Sequence, residues 1–180
     1  MAAQGKPEPI EGVDIRYEAT EKLYLVSIDV SLFMRGNHDS DLFIVWLLSR
    51  WQDETIIFSF NQTYVMPVIE NYLTLLNAIA VCDAHTVARV DHIHEDLLPF
   101  FVFSCDDMLV SDFGMLQLSP IVAADKSTEL PKQLAVAADF GYALWERMVL
   151  KGVIKQEEYV LLRKGTVVFL TPKVLKERTS

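Results

Sequence analysis

Between Glu54 and Pro120 the sequence alternates between two hydrophobic periods, and this alternation limits the fold more than any other feature. ETIIFSF is a compact apolar run, and VMPVIENYLTLLNAIAV has helical spacing. TVARV is short and β-branched, DHIHEDLLPFFVFSC opens polar and turns apolar, and MLVSDFGMLQLSP is extended again. The order is strand, helix, strand, helix, strand. A short, bounded, wholly apolar run fits an interior parallel strand covered on both faces. Parallel neighbours need long crossovers, which the helical runs supply. The stretch therefore dictates an α/β protein, whose chemistry gathers in loops at the strand ends.

The flanking sequence extends the same pattern. Strands are predicted near 23–31, 55–60, 86–90, 108–118 and 166–170, and helices near 41–51, 66–80, 95–104, 131–151 and 155–164. Asp39 or Ser40 is placed to cap the first helix, and Pro67 suits the first turn of the second. Asp112 to Gly114 makes a turn, so 108–118 is either one bent strand or two short ones. Gly152 stops the longest helical run, Gly165 ends a short amphipathic one, and Pro172 opens a short final helix. Residues 1–20 lack periodicity and are expected to form a flexible arm. Residues 21–180 are expected to form a single domain.

Composition removes several function classes. The apolar fraction of 51% supports a sizeable core. A net charge of −9 argues against a general nucleic-acid binder, which needs clustered Lys and Arg. Charge interrupts every apolar stretch before the ~18 residues of a membrane span. The N-terminus has no apolar leader segment, so a cytoplasmic protein is expected. Cys82 and Cys105 are far apart with no CxxC spacing, and read as buried free thiols. No cofactor is expected.

The densest polar cluster is DHIHED, Asp91 to Asp96. His92 and His94 alternate, so on a strand their imidazoles share a face. With Asp91 and Glu95 they offer a divalent-metal set, and a metal-dependent hydrolase is one reading. The other is a polar strand-to-helix loop in which Asp caps the helix. Asp106, Asp107 and Asp112 flank strands and read as solvated turn residues, as do His38 and His85. Trp46, Trp51 and Trp145 lie on apolar helices and suit core or subunit contacts. Ser104 beside Cys105 lacks the glycines of a nucleophile elbow.

The order and spacing from Leu23 to Arg178 resemble the Clp protease subunit family, within the larger crotonase-like group. In that family a strand ends in Asn-Ser-Pro-Gly-Gly. Here IIFSFN ends in Asn61, and QTYVMP replaces the glycine-rich turn. The family then has Gly-x-x-x-Ser at a helix start; Asp91 falls on the Gly and Glu95 on the nucleophilic Ser. A strand ending Met-Ile-His-Gln-Pro follows, where GMLQLSP puts Leu118 on the catalytic His. The third triad member, an Asp, falls near Arg163. The resemblance implies a spiral of β-β-α units with a long handle-like helix and a closing strand-helix. The tail TPKVLKER is similar to Clp-like proteins of bacteriophages, which implies a host cytoplasm.

With Glu95, Leu118 and Arg163 at the triad positions, the resemblance implies a protease-like scaffold that is not an enzyme. It also implies ring assembly, with itself or with an active Clp-type partner, as a structural or regulatory subunit. The handle-like helix would carry the contact. Its Phe140, Tyr142, Leu144, Trp145, Met148, Val149 and Leu150 wrap around more than one face. The alternatives are a helix buried in its own subunit, the metal-dependent hydrolase and a monomeric binding module.

Overall fold

The computed structural model describes residues 10–33, 37–62, 69–95, 97–120 and 131–179. They form an α/β protein in two compact units. Met1–Arg89 with Ser104–Asp107 make the first, and Val90–Phe103 with Met108–Ser180 make the second.

The first unit is built on β1 (Val13–Glu18), β2 (Leu23–Asp29), β3 (Thr55–Asn61) and β4 (His85–Val90), adjacent in that order. β1 runs antiparallel to β2, while β2, β3 and β4 are parallel. The apolar runs read from sequence are these parallel strands. Val26, Ile28, Ile56, Phe58 and Phe60 are buried on them. Three further elements are α1 (Val30–Phe33), α2 (Asn37–Leu48) and α3 (Ile69–Ala80), of which α2 packs on α3. Phe43 and Leu47 from α2, with Leu75, Leu76 and Ile79 from α3, are buried too.

Several boundaries differ from the sequence reading, each for a local reason. Val13–Glu18, placed in the arm, is a strand, with Ile15 its buried residue. The strand expected to reach residue 31 stops at Asp29. The Asp29 carboxylate accepts from the Ser31 N–H at 3.0 Å and hydroxyl at 2.6 Å, turning the chain into α1. The helix expected over 41–51 starts at Asn37 and ends at Leu48. The Ser49 hydroxyl and Arg50 Nε both donate back to the Trp46 carbonyl, at 2.7 and 3.1 Å, where the helix ends. Pro67 lies outside the described residues.

Arg50 and Glu54 are buried charges, and they are paired. Arg50 donates to the Tyr24 hydroxyl at 2.7 Å and lies 3.7 Å from Glu54. Glu54 in turn accepts from the Trp51 N–H at 2.8 Å. Such a pair persists only because its remaining polar atoms are satisfied.

A second polar knot closes this unit. Asp106 Oδ2 accepts from both the N–H and the hydroxyl of Thr86, each at 2.9 Å. The Asp106 N–H donates back to the Thr86 carbonyl at 3.0 Å.

The second unit holds a smaller sheet of β5 (Ile93–His94), β7 (Met115–Leu118) and β8 (Val168–Leu170). β5 is parallel to β7, and β8 is antiparallel to it. The span 108–118 resolves into two strands, β6 (Asp107–Val110) and β7, with the turn between them. Gly114 in that turn is required by space. A Cβ there would stand 2.0 Å from the Val90 carbonyl oxygen, which already accepts from the Ser111 N–H.

The helices are α4 (Leu98–Ser104), α5 (Pro131–Leu150), α6 (Gln156–Arg163) and α7 (Pro172–Thr179). The helix expected from residue 95 starts later, because Ile93 and His94 pair with β7 instead. Gly152 and Gly165 have φ of +77° and +90°, which glycine adopts without strain, as the stop positions require. Phe101, Phe103, Leu116, Trp145, Leu162, Leu170 and Leu175 fill the interior.

Candidate functional site

The acid–base residues cluster where β4 ends, in the second unit. Pairing of His94 with Leu116 across β5 and β7 fixes its side. Alternation then places it on the same face as Leu118, Val168 and Leu170, all buried. Ile93 points the other way and is exposed. His94 is 0% exposed. Its Nδ1 donates to the His92 carbonyl at 3.2 Å, while Nε2 has no hydrogen-bond partner. Burial pushes the His94 pKa down, and the bond to the His92 carbonyl offsets this only in part. The neutral imidazole is therefore the favoured form.

His92 lies outside the strand and is exposed. Its ring stacks on His94 with centroids 4.3 Å apart and planes 29° apart. Its Nδ1 is 2.7 Å from Asp91 Oδ1, and Asp91 is half-buried. Glu95 is exposed, and its carbonyl accepts from the Leu98 N–H at 3.1 Å on the way into α4. Asp96 lies outside the described residues.

Among the described residues, no group of three or more His, Cys, Asp and Glu could hold a metal ion. The pairing of β5 explains it: one imidazole is folded into an apolar sheet face and the other lies flat upon it.

The positions aligned with a protease triad have other occupations. Leu118 is buried in β7 opposite Val168. The Arg163 guanidinium lies 4.3 Å above the Tyr142 ring, a cation–π contact. The helix expected to offer a subunit contact turns part of its apolar surface inward. Leu144, Trp145 and Met148 are buried, and Trp145 stacks on Phe100 at 5.7 Å. This is the core alternative for those three residues. Tyr142 and Val149 are half-buried, Leu150 is exposed, and the Phe140 side chain lies outside the described residues.

In the first unit, the carboxyl ends of β2 and β3 meet at Asp29 and Asn61, which pair in register. This is the end where parallel sheets gather functional groups. Gln62 follows, and its Oε1 is buried without a hydrogen-bond partner. Residues 63–68, which hold most of the QTYVMP turn, lie outside the described residues.

The remaining candidates are held in local pairs. His85 Nε2 is 3.3 Å from Asp107, and Asp106 belongs to the Thr86 knot. Asp112 pairs with Lys176 at 2.5 Å, on the wall of an open depression of about 500 Å³ beside α7. Cys82 and Cys105 are not joined in a disulfide, and burial raises the pKa of each, away from the reactive thiolate. No helix among the described residues is long and apolar enough to cross a membrane.

No protein-family model matches the sequence, and no curated protein matches it. Solved structures do match. An enoyl-CoA hydratase from Mycobacterium smegmatis superposes with a TM-score of 0.57 at 12% identity, over 94% of this chain and 73% of that one. The enoyl-CoA hydratase from Bacillus anthracis gives 0.57 at 10% identity, over 94% and 68%. An enoyl-CoA hydratase/isomerase from Pseudoalteromonas atlantica gives 0.54 at 10% identity, over 94% and 67%. The chain thus spans about two thirds to three quarters of these proteins. The likeness establishes a crotonase-type α/β fold.

The resemblance drawn from sequence is met at that level and no finer. The expectation of a chain that is not an enzyme is overturned by the same comparison. It rested on a missing Ser-His-Asp triad, whereas the solved proteins of this fold are named as hydratases and isomerases. A lost hydrolytic triad says nothing against chemistry of that kind.

Proposed function

We propose that this chain is a crotonase-type enzyme that acts on an acyl thioester of coenzyme A, adding water to a double bond or moving a proton. The fold shared with the enoyl-CoA hydratases carries this reading. Such chemistry needs a group that takes and returns a proton, and N–H donors facing the enolate oxygen. Asp91, His92 and Glu95 supply ionisable groups just after a parallel strand. Incubating the purified protein with crotonyl-CoA and following loss of the enoyl absorbance tests it. Turnover above the protein-free rate, with a product heavier by one water, is the expected result. No turnover, together with no heat of binding for crotonyl-CoA or coenzyme A, overturns it.

Self-assembly is a second reading, favoured by one feature. Leu42, Val45, Leu48 and Trp51 recur every three residues along α2 and past its end, and all four are exposed. A row of large apolar side chains facing water suits a contact with a second copy.

A further inference from the structure

We infer that Asp91 and His92 form a carboxylate–imidazole dyad seated on the buried ring of His94, and that His92 Nε2 is the proton acceptor of this site. The substrate class rests on the enzyme reading above; the dyad itself rests on geometry. A carboxylate only accepts hydrogen bonds, so the nitrogen 2.7 Å from Asp91 carries the hydrogen. Nε2 then keeps its lone pair on an exposed ring. Asp91 fixes the tautomer, and the stack at 4.3 Å covers one face and sets the plane. The stack has a firm base. His94 is held by register on the apolar face of the small sheet and by its bond to the His92 carbonyl. His94 is thus a positioning residue, and His92 is the group that meets substrate. A base oriented by a third group is the arrangement that proton transfer requires.

The step balances on an enoyl thioester. His92 Nε2 takes one proton from water, and the oxygen forms a bond to the β-carbon. The π pair moves toward the thioester carbonyl as an enolate. The imidazolium then returns its proton to the α-carbon, leaving a 3-hydroxyacyl thioester and neutral His92.

Two measurements judge the dyad without any substrate. Nitrogen NMR of the imidazoles is expected to show His92 with its hydrogen on Nδ1, and Asp91→Asn to mix the tautomers. Diethyl pyrocarbonate is expected to modify His92 in the folded protein and spare His94, with Asp91→Asn slowing His92 several-fold. A hydrogen on Nε2 in the wild type, or equal modification rates in wild type and Asp91→Asn, overturns the dyad. A third measurement judges its role. His92→Gln, folded by circular dichroism, is expected to lower crotonyl-CoA hydration by about 10²–10⁴, the usual contribution of a general base. His94→Phe, which keeps a flat ring beneath His92 but loses the bond to the His92 carbonyl, is expected to lower hydration less than His92→Gln does. Undiminished hydration by His92→Gln overturns the assignment. A wild type that shows the dyad signatures but hydrates nothing overturns the enzyme reading, and the catalytic role with it.

Discussion

At the scale of single residues, position matters more than identity. Gly114 shows this without electrostatics. Its hydrogen faces the Val90 carbonyl, which a Cβ would meet at 2.0 Å. Gly114→Ala must push backbone against backbone, because no flexible side-chain end is there to give way. A loss of about 1–3 kcal/mol is expected, as for other overpacked sites, read as a lower urea midpoint at unchanged slope. An unchanged midpoint would mean that the turn relaxes freely. The residues of the candidate site were legible only as types. His92 and His94 alternate in the sequence, within its densest polar cluster. Nothing local, however, told that β7 would pair with Ile93 and His94 and bury one imidazole while exposing the other. That outcome depends on Leu116, more than twenty residues downstream. Gln62 gave no signal in sequence, since an orphaned amide oxygen is a property of its surroundings.

Among the elements, α6 and α7 show how short helices are held. Each is eight residues long, too short to be stable alone. Arg178 on α7 donates twice to Glu158 on α6, at 2.7 and 2.9 Å, and also to the Val153 carbonyl. The Lys155 N–H adds a bond to Glu158 Oε2. Partial burial pushes the Glu158 pKa up, but Arg178 and the Lys155 N–H outweigh it, and the net shift is downward. A lowered carboxylate contributes stability above its unfolded value, and loses it as pH falls through the folded value. The urea midpoint of the wild type should therefore fall as pH drops below 4.5, and Glu158→Gln should fall less steeply while starting lower at pH 7. Parallel curves would show that other carboxylates govern the acid limb. Long-period elements were readable from sequence because burial on one or both faces leaves a strong pattern. β1 was not, because most of its residues face water and only Ile15 is buried. β5 has two residues, too few to show any period.

For the molecule as a whole, the alternation of strand and helix was enough to give the α/β class, and the resemblance in order and spacing pointed to the crotonase-like fold. A missing protease triad does not decide activity, because solved proteins of this fold are named for other reactions. Assembly is decided by size. The row from Leu42 to Trp51 predicts a native mass above one chain at micromolar concentration, measured by light scattering. Val45→Glu with Trp51→Glu is expected to shift it to a single chain without loss of helical signal, since both side chains are exposed. A wild type already at single-chain mass would remove the self-assembly reading.

The path of the chain between the two units has a consequence for how the protein is made. It leaves the first unit after Arg89, returns for Ser104–Asp107, and departs again at Met108. The returning segment carries Asp106, whose carboxylate and N–H satisfy Thr86 on β4. On the ribosome, the first unit therefore waits for a stretch that emerges only after Val90–Phe103 has passed. Its edge stays open until then, and no single break in the gene divides the two halves into intact pieces. Recombination that shuffles whole domains would have to carry this protein as one block.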